Sequence, residues 1–159
     1  MFEQPRLAET VRSPNMFFRV DDRVLRSALP SLPENLEFLK RQGVTTIISF
    51  EGLPAAAREA ARVRGLKVVD CLLHDGCVPE PEQIDRFLAL MEHELHSGET
   101  VLIHCMAGIQ RTGIMAGFYL IRFHGMHPLE AYWEVDKNAL GDEPEFKQFL
   151  LDYGATLRR

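Results

Sequence analysis

Cys105 and Arg111 stand six positions apart in the stretch HCMAGIQRTG, with Gly108 between them and Thr112 and Gly113 directly after the arginine. A cysteine attacks as its thiolate, and an arginine is a permanent cation with a planar fork of donors. The run TVLI before His104 reads as a buried strand, and a helix is expected to begin near Arg111. A strand-to-helix loop of this kind lets successive backbone N–H groups converge on one anion, and the positive end of the helix adds to that field. Gly108 allows the backbone to curl without a Cβ in the way, and Gly113 allows the helix to pack closely. The fork of Arg111 suits two oxygens of a phosphate or sulfate. Helix N-termini and cations lower a thiol's pKa from about 8.5 to roughly 3.5–7.5, so the same field favours an ionised Cys105. Nucleophile and anion cradle then coincide, which suggests phosphoryl transfer through a cysteinyl-phosphate. A buried strand-end cysteine beside an unrelated arginine is the plainer reading, and it leaves the spacing and the glycines unexplained.

The elements that must hold this loop can be followed along the chain. The residues up to about Pro14 read as an irregular arm. FFRVDDRVLRSALP reads as two short strands around an Asp21-Asp22 turn. In SLPENLEFLKRQG, Ser31 and Glu34 have capping-box spacing, Leu36 and Leu39 share one face, and Gly43 ends the helix. Val44–Phe50 is a β-branched strand, Pro54 to Gly65 a helix, and Leu66–Leu73 the next strand. The loop HDGCVPEP follows, its glycine and prolines opposing regular structure. Ile84, Phe87, Leu88, Met91 and Leu95 fall at helical spacing from Pro81 to about Ser97. After the strand TVLIHC come a helix to His124 and two more around PLEAYWEVDKNA and EPEFKQFLLDYG, with Tyr132 and Trp133 read as core or partial core. Strands alternating with helices predict one α/β domain over 1–159, with a mostly parallel sheet flanked by helices. The Cys105–Arg111 loop would lie beyond the carboxyl ends of the strands, where open α/β sheets bind ligands.

Composition excludes several other roles. The chain has 159 residues and a net charge of −5, so a wide basic surface for nucleic acid is not expected. Arg58, Arg62, Arg64 and Lys67 read as a solvated helix face. No run of about 18 apolar residues suggests a membrane span, and the charged start does not resemble a signal peptide. Cys71, Cys77 and Cys105 are an odd number without CxxC spacing, which suits a reducing cytoplasm better than a disulfide framework. HELH, with His93 and His96 three apart, lacks the spacing of a zinc motif. The chemistry inferred needs no metal or cofactor, and a monomer is the default.

HCMAGIQRTG resembles the HCxxGxxR[ST]G signature of the cysteine-dependent protein tyrosine phosphatase superfamily. A wider likeness, from NMFFRVDDRVLRSALP to the end of the chain, is to the small atypical dual-specificity phosphatases, the VHZ-like group in particular. The resemblance implies that Cys105 is the nucleophile and Arg111 the phosphate clamp. It implies that Thr112 donates a hydrogen bond to the Cys105 sulfur and that His104 fixes the loop and tunes the thiolate. Met106, Ala107, Gly108, Ile109 and Gln110 would bind substrate chiefly through backbone amides. Gln110, where many relatives have a glycine or a small polar residue, either meets the substrate or points out of the loop.

The leaving oxygen also needs a proton, and the family keeps an aspartate for this on a loop some tens of residues before the cysteine. Asp75, thirty positions before Cys105 in LLHDGCVPEP, fits that place. His74 is a rival, and Asp142 and Glu143 are candidate auxiliaries. The expected activity is hydrolysis of phosphomonoesters, namely phosphotyrosine and also phosphoserine or phosphothreonine of proteins. A phosphoinositide, inositol phosphate or RNA 5′ phosphate is the alternative substrate. A phosphate-binding pseudophosphatase would have lost Cys105, Arg111 or Asp75, and a rhodanese-like sulfur transferase does not account for Gly108, Arg111 and Thr112 together.

Overall fold

The computed structural model describes residues 11–136 and 144–158. Its strands are β1 (Phe18–Arg19), β2 (Val24–Ser27), β3 (Thr46–Ser49), β4 (Lys67–Asp70) and β5 (Val101–His104). The helices are α1 (Pro33–Arg41), α2 (Ala55–Val63), α3 (Pro81–His96), α4 (Gln110–His124), α5 (Pro128–Asp136) and α6 (Pro144–Leu157). Five strands form one sheet in the order β1-β2-β5-β3-β4. Only the β1–β2 hairpin is antiparallel; β2, β5, β3 and β4 run the same way. This is the mostly parallel α/β architecture expected from the alternation of elements.

Alternation along each strand divides the apolar side chains between two layers. Val24, Ile48, Val101 and Ile103 pack with residues of α3 to α6, while Leu25, Ile47 and Leu102 pack with α1 and α2. Both faces are therefore dry, and each fully buried Ile, Leu or Val contributes roughly 1.5–3 kcal/mol. The parallel register puts Ser27, Ser49 and Asp70 level with His104, so four strands end together at one edge of the sheet. Every loop that follows those ends is available to one site.

At the opposite edge Asp21 anchors the hairpin turn. Its Oδ1 accepts the N–H groups of Arg23 and Val24, and its Oδ2 meets Tyr119 Oη and His124 Nε2 from α4. Burial alone would raise the Asp21 carboxyl, but these hydrogen bonds outweigh it and hold the group below the usual range. The Tyr119 phenol is pushed up by burial and by the carboxylate beside it.

Some local expectations change. Ser31 does not cap α1; the N-cap is Leu32, whose N–H donates to Asn35 Oδ1 at 3.1 Å. Pro33 at the first helical position displaces the expected box by one residue. Trp133 is 55% exposed rather than core, standing beside Tyr132 and under the Lys147 ammonium. The basic cluster of α2 and β4 is neutralised pairwise by Arg58–Asp70, Arg62–Glu59, Arg64–Glu37 and Lys67–Glu94. Among the described residues no helix is long and apolar enough to cross a membrane.

Candidate active site

The loop from Cys105 to Ile109 joins β5 to α4 at the edge where the parallel strands end. The Cys105 side chain is 2% exposed, and its Sγ accepts the Gly108 N–H at 3.2 Å. Gly108 has φ +76°, and a Cβ there would lie only 2.5 Å from Ala28 N and 2.7 Å from the Ser27 carbonyl carbon. Both the backbone sign and the contact require glycine, since a side chain would push the loop off the end of β2. Leu29 N–H donates to Met106 O at 2.9 Å and fastens the other limb of the loop to the same segment. The β2–α1 connection is thus a wall for the Cys105–Ile109 loop.

Arg111, at the second position of α4, is 3% exposed. Its Nη1 donates to Glu51 Oε2 at 2.6 Å and to Leu73 O at 3.1 Å. Its Nη2 lies 3.7 Å from Asp75 Oδ1. The guanidinium is therefore fixed from three directions, by the loop after β3, the segment after β4 and its own helix. Glu51 carries no motif and follows β3 without special spacing, so only the sheet register reveals it. Its one legible signal was position, a carboxylate directly after a strand that ends at the binding edge.

His104 is fully buried behind the loop, with Nδ1 2.9 Å from Cys105 O. A carbonyl only accepts, so Nδ1 carries the proton. Burial pushes the imidazole pKa down to about 4, leaving it neutral at ordinary pH. A neutral ring in this position braces the cysteine backbone and does not meet a ligand. Thr112 Oγ1 is also buried and has no hydrogen-bond partner among the described residues; the sulfur contact implied by the resemblance is not made in this structure. Met106 and Ala107 are exposed on the loop, and Ile109 and Gln110 are half-buried at the start of α4. Asp75 is 80% exposed on its loop and near Arg111, with His74 exposed beside it. Cys105, Arg111 and Asp75 are thus gathered at one edge, while Asp142 and Glu143 lie outside the described residues.

A family described as "Polymorphic toxin system, DSP-PTPase phosphatase" matches residues 26–125, well over half of the chain. The chain belongs to this family. Among curated relatives of this DSP-PTPase chain, the protein tyrosine phosphatase PRL-1 of Trypanosoma cruzi is 31% identical over 64% of this chain and 58% of its own length. The dual specificity protein phosphatase TpbA of Pseudomonas aeruginosa is 28% identical over 90% of this chain and 63% of its own length. The chain therefore spans less than two thirds of either. The crystal structure of Tk-PTP in the active form superposes with a TM-score of 0.76 at 25% identity, over 89% of this chain and 97% of that one.

In this DSP-PTPase site, Glu51 holds Arg111 through Nη1 at 2.6 Å. Glu51→Gln removes the charge and keeps the size, so the fork loses its charge-assisted anchor. We expect kcat/KM for an aryl phosphate to fall about tenfold, in line with the loss of one charged hydrogen bond. Steady-state kinetics of the folded variant check this, and an unchanged kcat/KM would show that the Leu73 and Phe50 carbonyls orient the arginine without Glu51.

Proposed function

We propose that this chain is a cysteine-dependent phosphatase that hydrolyses phosphomonoesters, with phosphorylated protein side chains as its substrates. The observation that carries this is the Cys105 sulfur inside a loop whose Gly108 N–H already points at it, under an arginine fork fixed by Glu51 and Leu73. The phosphate oxygens occupy the loop amides and the free edge of the Arg111 fork. Cys105 attacks phosphorus as its thiolate, the S–P bond forms and the P–O bond to the leaving group breaks. Asp75 gives its proton to the departing oxygen. In the second half, water attacks the cysteinyl-phosphate, Asp75 takes back a proton, and the S–P bond breaks as the thiolate leaves, with a turn of the unpartnered Thr112 hydroxyl toward the sulfur to donate to it.

Features of the rim support a singly phosphorylated substrate. Glu51 and Asp75 bring two carboxylates to Arg111, Asp75 on an exposed loop, and Met106 is an exposed apolar side chain of the Cys105–Ile109 loop. Such a rim repels the extra phosphates of an inositol polyphosphate and accommodates an aromatic or aliphatic phosphoester. Three unpaired thiols support a reducing, cytoplasmic setting.

Phosphate release from a phosphotyrosine peptide, a phosphothreonine peptide and an inositol polyphosphate, assayed side by side, tests the substrate class. Turnover of the inositol substrate ten times faster than either peptide would replace it. The acid is tested by Asp75→Asn, which keeps size and polarity but cannot supply a proton. We expect kcat to fall about 10²-fold or more with phenyl phosphate, within the usual range for a general acid. With p-nitrophenyl phosphate the deficit should shrink, because the phenoxide departs with less help. A burst experiment must first show that cysteine phosphorylation limits the rate. An equal small loss for both esters would move the acid to His74.

A further inference from the structure

Arg26 lies on β2, two residues before the wall that meets Gly108, and is 1% exposed. The other described buried charges have an opposite charge against them. Glu94 meets Lys67, Glu37 meets Arg41 and Arg64, and Arg111 meets Glu51. The hydrogen-bond partners of Arg26 are instead main-chain carbonyls of the anion loop. Its Nη2 donates to Gly108 O at 3.0 Å and lies 3.5 Å from Ile109 O, while Nε and Nη1 are buried without partners among the described residues. The crevice beside it, bordered by Leu120, Val135 and Glu134, holds only about 20 Å³. That is room for a water and not for a phosphate.

Burying a guanidinium costs several kcal/mol unless charge or hydrogen bonds compensate. Burial pushes Arg26 down to about 10, so it remains a cation at neutral pH, and the charge of Cys105 opposes that fall. The geometry gives the cation a use. In a trans peptide the N–H points opposite to the C=O. Drawing the carbonyls of Gly108 and Ile109 toward Arg26 turns the N–H groups of Ile109 and Gln110 away from it, toward the interior of the loop.

We propose that Arg26 is a positioning residue of the phosphate loop: it holds two carbonyls from behind so that the following amides face the bound phosphate, and it fixes a positive charge on Gly108, the residue whose N–H meets the Cys105 sulfur. The role rests on the phosphatase reading, because it acts through the nucleophile assigned there. The other charged or titratable groups of this cluster are Arg111 from α4 with Glu51 and Asp75 against it, and His104 from β5 on the Cys105 carbonyl, with Arg19 of β1 and Glu134 of α5 at the crevice. Neither the signature nor the periodicity of VLRSALP singles out this residue.

The test measures the pH dependence of Cys105 alkylation by iodoacetamide, together with vanadate affinity, in the wild type, Arg26→Met and Arg26→Lys. Arg26→Met keeps the length and removes the charge. Its alkylation midpoint should rise by about one pH unit, the usual effect of losing one nearby opposite charge. Arg26→Lys should keep the midpoint near that of the wild type but bind vanadate about tenfold more weakly, because an ammonium cannot reproduce the fork. Equal midpoints in the wild type and Arg26→Met would overturn the charge role. Unchanged vanadate affinity in Arg26→Lys would overturn the carbonyl clamp, and that variant decides the matter if Arg26→Met does not fold. A wild type whose Cys105 is neither alkylated nor protected by vanadate would instead overturn the phosphatase reading.

Discussion

Cys105→Ser is expected to lower kcat by at least about 10⁴-fold while leaving the fold intact, the scale seen when a nucleophile is removed from an otherwise complete site. Serine differs by one atom at a position only 2% exposed, so the cavity cost is small and the Gly108 N–H still finds an acceptor. The hydroxyl, however, stays protonated in this site. The neighbouring His104 ring is turned toward the Cys105 carbonyl and cannot act as the base that activates a catalytic serine. Vanadate affinity should persist, because the loop amides and Arg111 remain. Rapid-quench experiments with a radiolabelled phosphoester, stopped in alkaline denaturant because an S–P bond is hydrolysed in acid, should give a phosphoenzyme in the wild type and none in the variant. Turnover by a clean serine variant above about one part in a hundred would remove Cys105 from the chemistry.

The second large effect is expected at Arg111. Arg111→Lys keeps the positive charge and its attraction to Glu51, yet kcat/KM should fall on the order of 10³-fold, the upper range for losing a preorganised oxyanion donor. The reason lies in how many partners the guanidinium serves at once. Nη1 is occupied by Glu51 and Leu73 O, which leaves the other edge of the fork for two phosphate oxygens. An ammonium has three donors around one atom and cannot face both directions. It would stay with Glu51 and leave the phosphate to the loop amides. Thermal unfolding should change far less than activity. A kcat/KM within tenfold of the wild type would show that charge alone suffices and that the planar fork is not used.

Much of this architecture was legible because it depends on local pattern. Strands such as Thr46–Ser49 and Val101–His104 are apolar on both faces, so their sequences are near-continuous hydrophobic runs. The helices show their inward stripe at Leu36 and Leu39, or at Ile84, Phe87, Leu88 and Met91. Errors occurred where two local rules competed. Ser31 and Glu34 match a capping box, but the fixed φ of Pro33 moved the start of α1 to Leu32 and Asn35. Trp133 sits in a helical apolar pattern, yet α5 turns that face outward, where Tyr132 and Lys147 lie against it.

The sequence by itself determined the α/β class and singled out Cys105 and Arg111 as candidates, since a fixed spacing between a strand and a helix is a local property, while Asp75 came from the family resemblance. Only the tertiary structure decided which residues stand behind them. Glu51 reaches Arg111 from sixty positions away and Arg26 reaches Gly108 from eighty-two, because parallel pairing brings the ends of β2, β3 and β5 to one level. Neither residue has a motif of its own. A single glutamate or arginine is chemically ordinary, and its role arises from the register that places it against the loop.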